Sequence, residues 1–373
     1  MTTASRAKEA EEASVAFQIA LTQIGVKTVE EALKLWAEVP VTARASTSSS
    51  WLKKAITMVM TRRRLSRDLA RAYYRLARAL RTGTTVADPY HPEPSYVTLD
   101  SLRREFASLA GGSEQPQEGR SESAPTKETE PASQPAQTPE TDGPDAPADE
   151  GSEDAEADRI LVEELERLKE DEERIEREAE AELREVLQNL GPNNLAKKQR
   201  DIDPEAPAKD VDRLRDEAHA QAGARQAAAA ERIAMNGGRS TVWNHAQRDR
   251  RALGYIRLSR TGTPCGWCAM LISRGPVYRS QSSAEGGGAA SNYGDGDKYH
   301  DNCHCYAEPV FSLQQYRNSP TYALNRQYEE LWPQVTKGLG GDAAISAWRR
   351  FIRTEQRAAA QEARRSTTSV QEA

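Results

Sequence analysis

Apolar residues recur at helical spacing along much of the chain. The clearest pattern lies in residues 51–81, where they repeat every three or four positions and Gly83 predicts the end of the helix. The positions are Leu65, Leu69, Tyr73, Leu76 and Leu80. Arginines occupy the flanks at Arg64, Arg67, Arg71, Arg75, Arg78 and Arg81. They are either the solvated back of a core-packed helix or a contact surface for DNA or an acidic protein.

Weaker helical patterns precede this segment. Residues 8–24 predict a helix that ends at Gly25. The sequence from Thr28 to Glu31 has the form of a capping box, so a second, short helix is expected to start there and to end before Pro40.

Helical patterns also fill the middle of the chain. Residues 159–190 predict a long charged helix that ends at Gly191-Pro192, with Glu172 and Glu182 interrupting its apolar stripe. Residues 209–235 predict an Ala-rich helix that stops at Gly237-Gly238. Ser240 is expected to cap a third helix that runs to Arg251.

The pattern changes after Gly254. Short alternating segments predict strands at Tyr255–Ser259, Val277-Tyr278 and Tyr306–Phe311. Residues 284–297 form a Gly- and Asp-rich loop in this prediction. Helical spacing returns at 312–334 and 342–364.

Charge is distributed unevenly over the 373 residues. Residues 1–110 and 239–373 each carry a net charge of +6, whereas residues 111–158 carry −12. No aromatic residue occurs between Phe106 and Trp243, so the acidic segment has little with which to form a core and is predicted to be a disordered linker. No apolar run is long enough for a membrane span, and the first residues lack the apolar region of a signal peptide. We therefore expect a protein made in a cytosol, with no membrane partner.

These patterns predict a mainly α fold with a small α+β C-terminal domain. The expected parts are a helical N-terminal domain, the acidic linker, a long charged helix with a connector, a metal-stapled domain and a frayed tail. Their boundaries are 1–110, 111–158, 159–204, 205–355 and 356–373.

The candidate chemistry is concentrated in one region. All four cysteines lie in two short segments, Pro-Cys-Gly-Trp-Cys ending at Cys268 and His-Asp-Asn-Cys-His-Cys ending at Cys305. Paired thiols with a nearby histidine are the ligands that zinc prefers in a tetrahedral site. The predicted ligands are Cys265 and Cys268, with two from His300, Cys303 and Cys305, while His304 points away. The alternatives are reduced thiols or a disulfide that forms late, in an extracellular particle.

The predicted zinc ion is structural. Zinc deaminases need a His-x-Glu motif, and the corresponding segments here begin at His219 and His245 and end in Gln, which cannot transfer a proton. The Gly-rich loop lacks the Lys-Ser/Thr of a P-loop, and no G-x-S-x-G occurs. No catalytic constellation is recognisable, so we expect that the protein is not an enzyme.

The two cysteine segments, with the residues that follow each of them, resemble phage Mu protein F-like (MuF) head-morphogenesis proteins. The similarity is nearest to the actinobacteriophage branch of these minor capsid proteins and covers about residues 205–355. The specific part is the Cys-x-x-Cys and His-x-x-Cys-x-Cys pair; the segment from Trp348 to Arg353 also fits.

This resemblance implies a structural minor capsid protein of a tailed phage, made in the bacterial cytoplasm and located inside the head at the portal vertex. It implies roles in head assembly or DNA handling. The implied partners are the portal protein, capsid or scaffold proteins, and packaged double-stranded DNA. Some relatives are described as prohead or capsid maturation proteases, which leaves that activity as the alternative.

Overall fold

The computed structural model describes residues 3–42, 48–90, 97–111, 150–259, 264–276 and 299–371. The helices in these ranges are α1 (Thr3–Ala37), α2 (Ser49–Thr82), α3 (Leu99–Gly111), α4 (Glu150–Gln188), α5 (Asn194–Arg200), α6 (Ala208–Arg248), α7 (Gly266–Ile272), α8 (Leu313–Asn318), α9 (Ala323–Val335) and α10 (Gly341–Gln371). Two strands, β1 (Gly254–Leu258) and β2 (Tyr306–Val310), complete the described part of the chain. The mainly helical architecture agrees with the sequence pattern.

Helix α6 lies at the centre of the fold and packs against both α1 and α2. One core joins side chains of α1 and α2 to those of β2, with Phe17 stacked on Tyr73 at 4.4 Å and Tyr306 meeting Phe17 edge-on. A second core surrounds Trp36 and Trp51 and includes residues of α4, α5 and α6. Helices from the first 110 residues therefore share their cores with elements from the last 170.

Helix α1 is a single helix, so the predicted break at Gly25 is wrong. A Cβ atom at Gly25 would lie 2.7 Å from Met235 Sδ, which shows that this glycine allows α1 and α6 to approach closely. The predicted capping box at Thr28 is also wrong, because the Thr28 hydroxyl donates to the Ile24 carbonyl one turn earlier, 2.7 Å away. The close packing of α1 against α6, rather than a turn, explains why position 25 is a glycine.

The same explanation applies to α6, which runs through Gly237-Gly238 instead of ending there. A Cβ atom at Gly237 would lie 2.5 Å from the Arg63 carbonyl oxygen, and one at Gly238 would lie 2.7 Å from the Ser66 carbonyl oxygen. Ser240 is not a helix cap, since its hydroxyl bonds the Asn236 carbonyl within the helix. The two glycines therefore mark the crossing of α2 and α6.

The predicted stop at Gly191-Pro192 is likewise replaced by continued helix. A π-helical turn at Asn189–Asn193 connects α4 to α5, and Gly191 in it packs against the rings of Trp36 and Trp51. Helix α4 begins at Glu150, so residues 150–158 of the predicted linker are helical. Residues 112–149 lie outside the described residues, and their disorder stays a prediction.

Four arginines of α2 lie in buried ion pairs, whereas Arg64 is exposed. Arg71 lies 3.1 Å from Glu172, Arg78 lies 2.5 Å from Asp249, and Arg75 lies 3.0 Å from Glu105. All three are buried, as is Arg63, which pairs with Glu176. A solvated back or a DNA contact is therefore the wrong interpretation for these residues. Glu172 and Glu182 interrupt the apolar stripe of α4 because they form buried or nearly buried ion pairs, Glu182 with Arg232.

The sheet is small and buried. Strands β1 and β2 pair antiparallel with Ile256 opposite Glu308, and the predictions of these two strands are confirmed. The predicted strand Val277-Tyr278 and the loop 284–297 lie outside the described residues. The predicted helix 312–334 is broken at Ser319-Pro320 into α8, a 3-10 turn and α9. None of the helices described has the length and apolar character that crossing a bilayer requires.

Candidate metal centre

The β1–β2 pairing explains why two segments 31 residues apart meet. In an antiparallel pair, the end of β1 at Leu258 lies beside the start of β2 at Tyr306. The chain leaving β1 continues to Cys265 and α7, and the chain entering β2 comes from His300. Both cysteine segments therefore lie at the same end of the two-stranded sheet, where β1 ends and β2 begins.

Each segment adopts a tight local structure that directs its side chains inward. Cys265 caps the N-terminus of α7, and its Sγ accepts a hydrogen bond from the Cys268 amide at 3.3 Å. In the second segment, the Cys303 amide bonds the His300 carbonyl at 3.1 Å. Asn302 makes this turn in the left-handed region, with φ of 60°, a conformation that asparagine tolerates better than most residues. One helix start and one tight turn thus face each other.

The five residues predicted as ligands form two overlapping groups that share Cys268. Cys265, Cys268 and His300 form one group, and Cys268, Cys303 and Cys305 form the other; within each group all ligand atoms lie within 4.8 Å of one another. His300 Nε2 lies 2.9 Å from Cys265 Sγ and 4.0 Å from Cys268 Sγ. Cys268 Sγ lies 3.4 Å from Cys303 Sγ. Two thiolates on one tetrahedral zinc ion lie ~3.8 Å apart, given Zn–S bonds of about 2.3 Å. The spacing fits a metal without requiring a large rearrangement.

His304 belongs to neither group. Its side chain is exposed, and its carbonyl accepts a hydrogen bond from Gln18 Nε2 at 3.1 Å. The two cysteines on either side of it point into the cluster, so the alternation along this extended segment directs His304 away.

The His300 ring is oriented for use as a ligand. Its Nδ1 lies 2.8 Å from the Asp301 carbonyl, a contact in which Nδ1–H donates and Nε2 is left facing the thiols. Asp301 is held in turn by Arg232, whose Nε donates to Oδ1 at 2.9 Å. A ligand histidine needs this kind of support to keep one tautomer.

Two buried arginines surround the thiols with positive charge. Arg257 Nη1 lies 3.6 Å from Cys268 Sγ, and Arg239 donates to the Cys303 carbonyl. Their guanidinium groups lie on the Tyr299 ring, with the Arg257 Cζ 3.8 Å and the Arg239 Cζ 4.1 Å from the centroid. Thiolates in this environment are stabilised relative to thiols.

The pKa values of the four thiols are split, because those of Cys265 and Cys303 are lowered whereas that of Cys268 is raised by its hydrogen bonds with Cys265 and Cys303, and that of Cys305 is raised to about 12. The hydrogen bond with Cys268, followed by that with His300, lowers the pKa of Cys265 to about 4. The hydrogen bond with Cys265 raises the pKa of His300 to about 9. The hydrogen bond with Cys268 is also the main reason that the pKa of Cys303 is lowered. Deprotonated sulfur is the form that binds metal.

Residues 195–331 match the VG15 protein family. This is a phage-associated family. The matched residues extend from α5 to α9 and cover just over a third of the chain. No curated protein and no solved structure matches the chain.

The whole candidate centre lies inside the VG15 match. Apolar and aromatic side chains enclose it, including Ile272, Tyr299 and Tyr328. All four cysteines are free, three of them buried. A set of four thiols and one imidazole in an apolar setting can hold a metal ion, and soft thiolate ligands favour zinc or a similar ion over magnesium or calcium.

The sequence pattern does not reveal the residues that surround the candidate metal centre. Arg239, Arg257 and Tyr299 shape its charge, yet only the position of Arg257 in an apolar strand could have indicated a buried role. Arg239 lies in a stretch of α6 that sequence analysis had assigned to a break, so its burial was hidden by that assignment.

Proposed function

We propose that this protein is a structural minor capsid (head-morphogenesis) protein of a tailed phage, located inside the head at the portal vertex. The observation that supports the proposal is the agreement of two facts. A phage-associated family matches the chain, and the matched residues contain the cluster of thiols and histidine that a head-morphogenesis resemblance implies. Portal and capsid or scaffold proteins are the partners in this proposal.

The proposal includes one structural zinc ion. Cys265 and Cys268 would hold it, together with two of His300, Cys303 and Cys305. The ion would join the start of α7 to the segment before β2, and α7 in turn packs against α10. A structural zinc site supplies on the order of 10 kcal/mol of folding free energy, which suits a region with a thin apolar core.

Elemental analysis of the purified full-length protein tests the zinc. We expect about one zinc per chain, lost under strong chelation and at acid pH because thiolate ligands must then bind protons. Cys268→Ser should abolish binding, since this sulfur belongs to both groups. His304→Ala is the matched control and should retain the metal. A metal-free wild type with four titratable thiols and an unchanged melting temperature after chelation would exclude the site.

Location in the particle tests the function itself. Labelled antibody or mass spectrometry on intact heads, DNA-free heads and isolated portal complexes should find a low-copy protein that stays with the portal. Recovery with the tail, or absence from particles, would contradict the structural role.

A contact with packaged DNA remains part of the proposal, and we assign the contact surface to α10. Four arginines of α2 are buried and Arg64 is its one fully exposed arginine, whereas Arg349, Arg350, Arg353 and Arg357 of α10 are all exposed. Phosphate contacts by such side chains would make binding strongly dependent on salt.

One geometric feature favours the alternative, a maturation protease. Cys265 lies at the N-terminus of α7 with His300 Nε2 at 2.9 Å, an arrangement that can activate a cysteine nucleophile. The two functions separate in one experiment. Cys305→Ser leaves this pair intact but removes a candidate metal ligand. Cleavage of a co-expressed capsid or scaffold precursor that survives Cys305→Ser and stops in Cys265→Ser would favour the protease.

A further inference from the structure

The outer face of α1 exposes a row of apolar side chains. Val15, Ile19, Val26 and Leu33 are 43%, 41%, 47% and 41% exposed, respectively, and they make up four of the seven exposed large apolar residues among those described. The opposite face of the same helix is buried in the two cores. Helix α1 thus has two apolar faces, and the described residues bury one of them.

The spacing of the outer face is that of a coiled-coil seam. Ile19, Val26 and Leu33 are seven residues apart, and the positions between them, at 15, 22 and 29, are Val, Thr and Val. An apolar repeat of alternating four and three residues packs against another helix, because knobs-into-holes contacts require that period. Five of these six residues are β-branched.

We propose that the occupant of this face is α1 of a second copy of this chain, paired antiparallel about a two-fold axis. A symmetric antiparallel seam places Val15 opposite Leu33 of the second copy, Ile19 opposite Val29, and Thr22 opposite Val26. Each apolar residue then meets an apolar or small partner, and the surface is self-complementary, as a two-fold interface must be.

Charge decides between the two directions. Glu12 lies seven residues before Ile19 and pairs with Lys8 of the same helix at 3.5 Å, and Lys34 follows Leu33 at the other end; both side chains are exposed. Antiparallel pairing brings Glu12 of one copy near Lys34 of the other, twice. Parallel pairing would place Glu12 beside Glu12 and Lys34 beside Lys34, and like charges across a seam oppose association.

The expected dimer is reversible. The seam extends from Val15 to Leu33, a helical length of ~28 Å at 1.5 Å per residue. A stable interface of standard size buries about 800 Å² on each partner, which two helices of this length approach but do not exceed. Association should therefore appear at micromolar concentrations and be lost on dilution.

Sedimentation of the metal-replete, full-length protein tests the proposal. Across about 1–100 µM, the wild type should change from monomer to dimer. The double variant Ile19→Asp with Val26→Asp should weaken dimerisation at least ~100-fold, because each substitution occurs twice in a two-fold interface. Leu313→Asp is the matched control: Leu313 is 51% exposed on α8, and its substitution should leave the dimer unchanged. Circular dichroism checks that each variant is folded.

Charge reversal tests the direction. Lys34→Glu alone and Glu12→Lys alone should each weaken the dimer several-fold, and the two together should restore it. A parallel pair would respond to neither single change, since like charges face each other before and after. A monomeric wild type at 100 µM, equal loss in Leu313→Asp, or a double reversal that fails to restore association would each overturn the proposal.

Discussion

The substitution Gly237→Ala examines the helix crossing at the centre of the fold. Its Cβ atom would lie 2.5 Å from the Arg63 carbonyl oxygen and 2.6 Å from Ser66 Oγ. The first neighbour is backbone, so relief requires α2 and α6 to separate. Overpacking of this kind costs typically 1–3 kcal/mol, and the upper end applies when a backbone must move. Alanine returns about 1 kcal/mol through its higher helix propensity. The net destabilisation is therefore about 2 kcal/mol.

Thermal unfolding measures this loss. For a chain of this size, 2 kcal/mol lowers Tm by about 3 °C. Ala224→Gly is the matched control: Ala224 is exposed on the same helix, so its change reports propensity alone and should cost about 1 kcal/mol. If Gly237→Ala raised Tm, helix propensity would outweigh contact, and the close approach of α2 to α6 would be refuted.

Three further predictions concern the charged groups. Burial raises the pKa of Glu308 to about 7, so the protonated carboxyl stabilises the fold and this stability is lost as pH rises from about 4.5 through 7. Glu308→Gln should therefore flatten the decline of Tm between pH 5 and pH 8. An unchanged decline in this variant would contradict the prediction. Glu172→Ala should cost about 1–3 kcal/mol in denaturant unfolding, because Arg71 loses its 3.1 Å partner but keeps Asp68 and Asp88. Replacing Arg350 and Arg353 of α10 with Gln should reduce the slope of log K against log salt for duplex DNA by about 2, and a full slope would exclude these residues as phosphate contacts.

The sequence predicted helices well where the apolar spacing and the helix end are both local signals. The α2 pattern and its end at Gly83, which has φ of +84°, could be identified because an apolar stripe and a left-handed cap are local signals. The two short strands were also recognised from local alternation. The cysteine segments could be singled out because thiols are rare and their spacing is short.

Four other glycines were wrongly interpreted as helix ends. Gly25, Gly191, Gly237 and Gly238 lie inside helical structure because another element approaches each of them closely. That requirement depends on residues more than 100 positions away and leaves no local trace. The burial of the α2 arginines could not be predicted for the same reason. Their carboxylate partners, such as Asp249, are distant in the sequence, and the spacing of the arginines alone does not indicate such partners.

The central position of α6 affects the order in which the chain can fold. Helices α1 and α2 are synthesised first, but the face that covers them is translated well over 100 residues later. At bacterial synthesis rates of 5–20 residues per second, their apolar surfaces wait on the order of 10 s on the ribosome before α6 emerges. The nascent chain is therefore a natural client for holdase chaperones, and slowing translation between residues 112 and 207 should increase its aggregation.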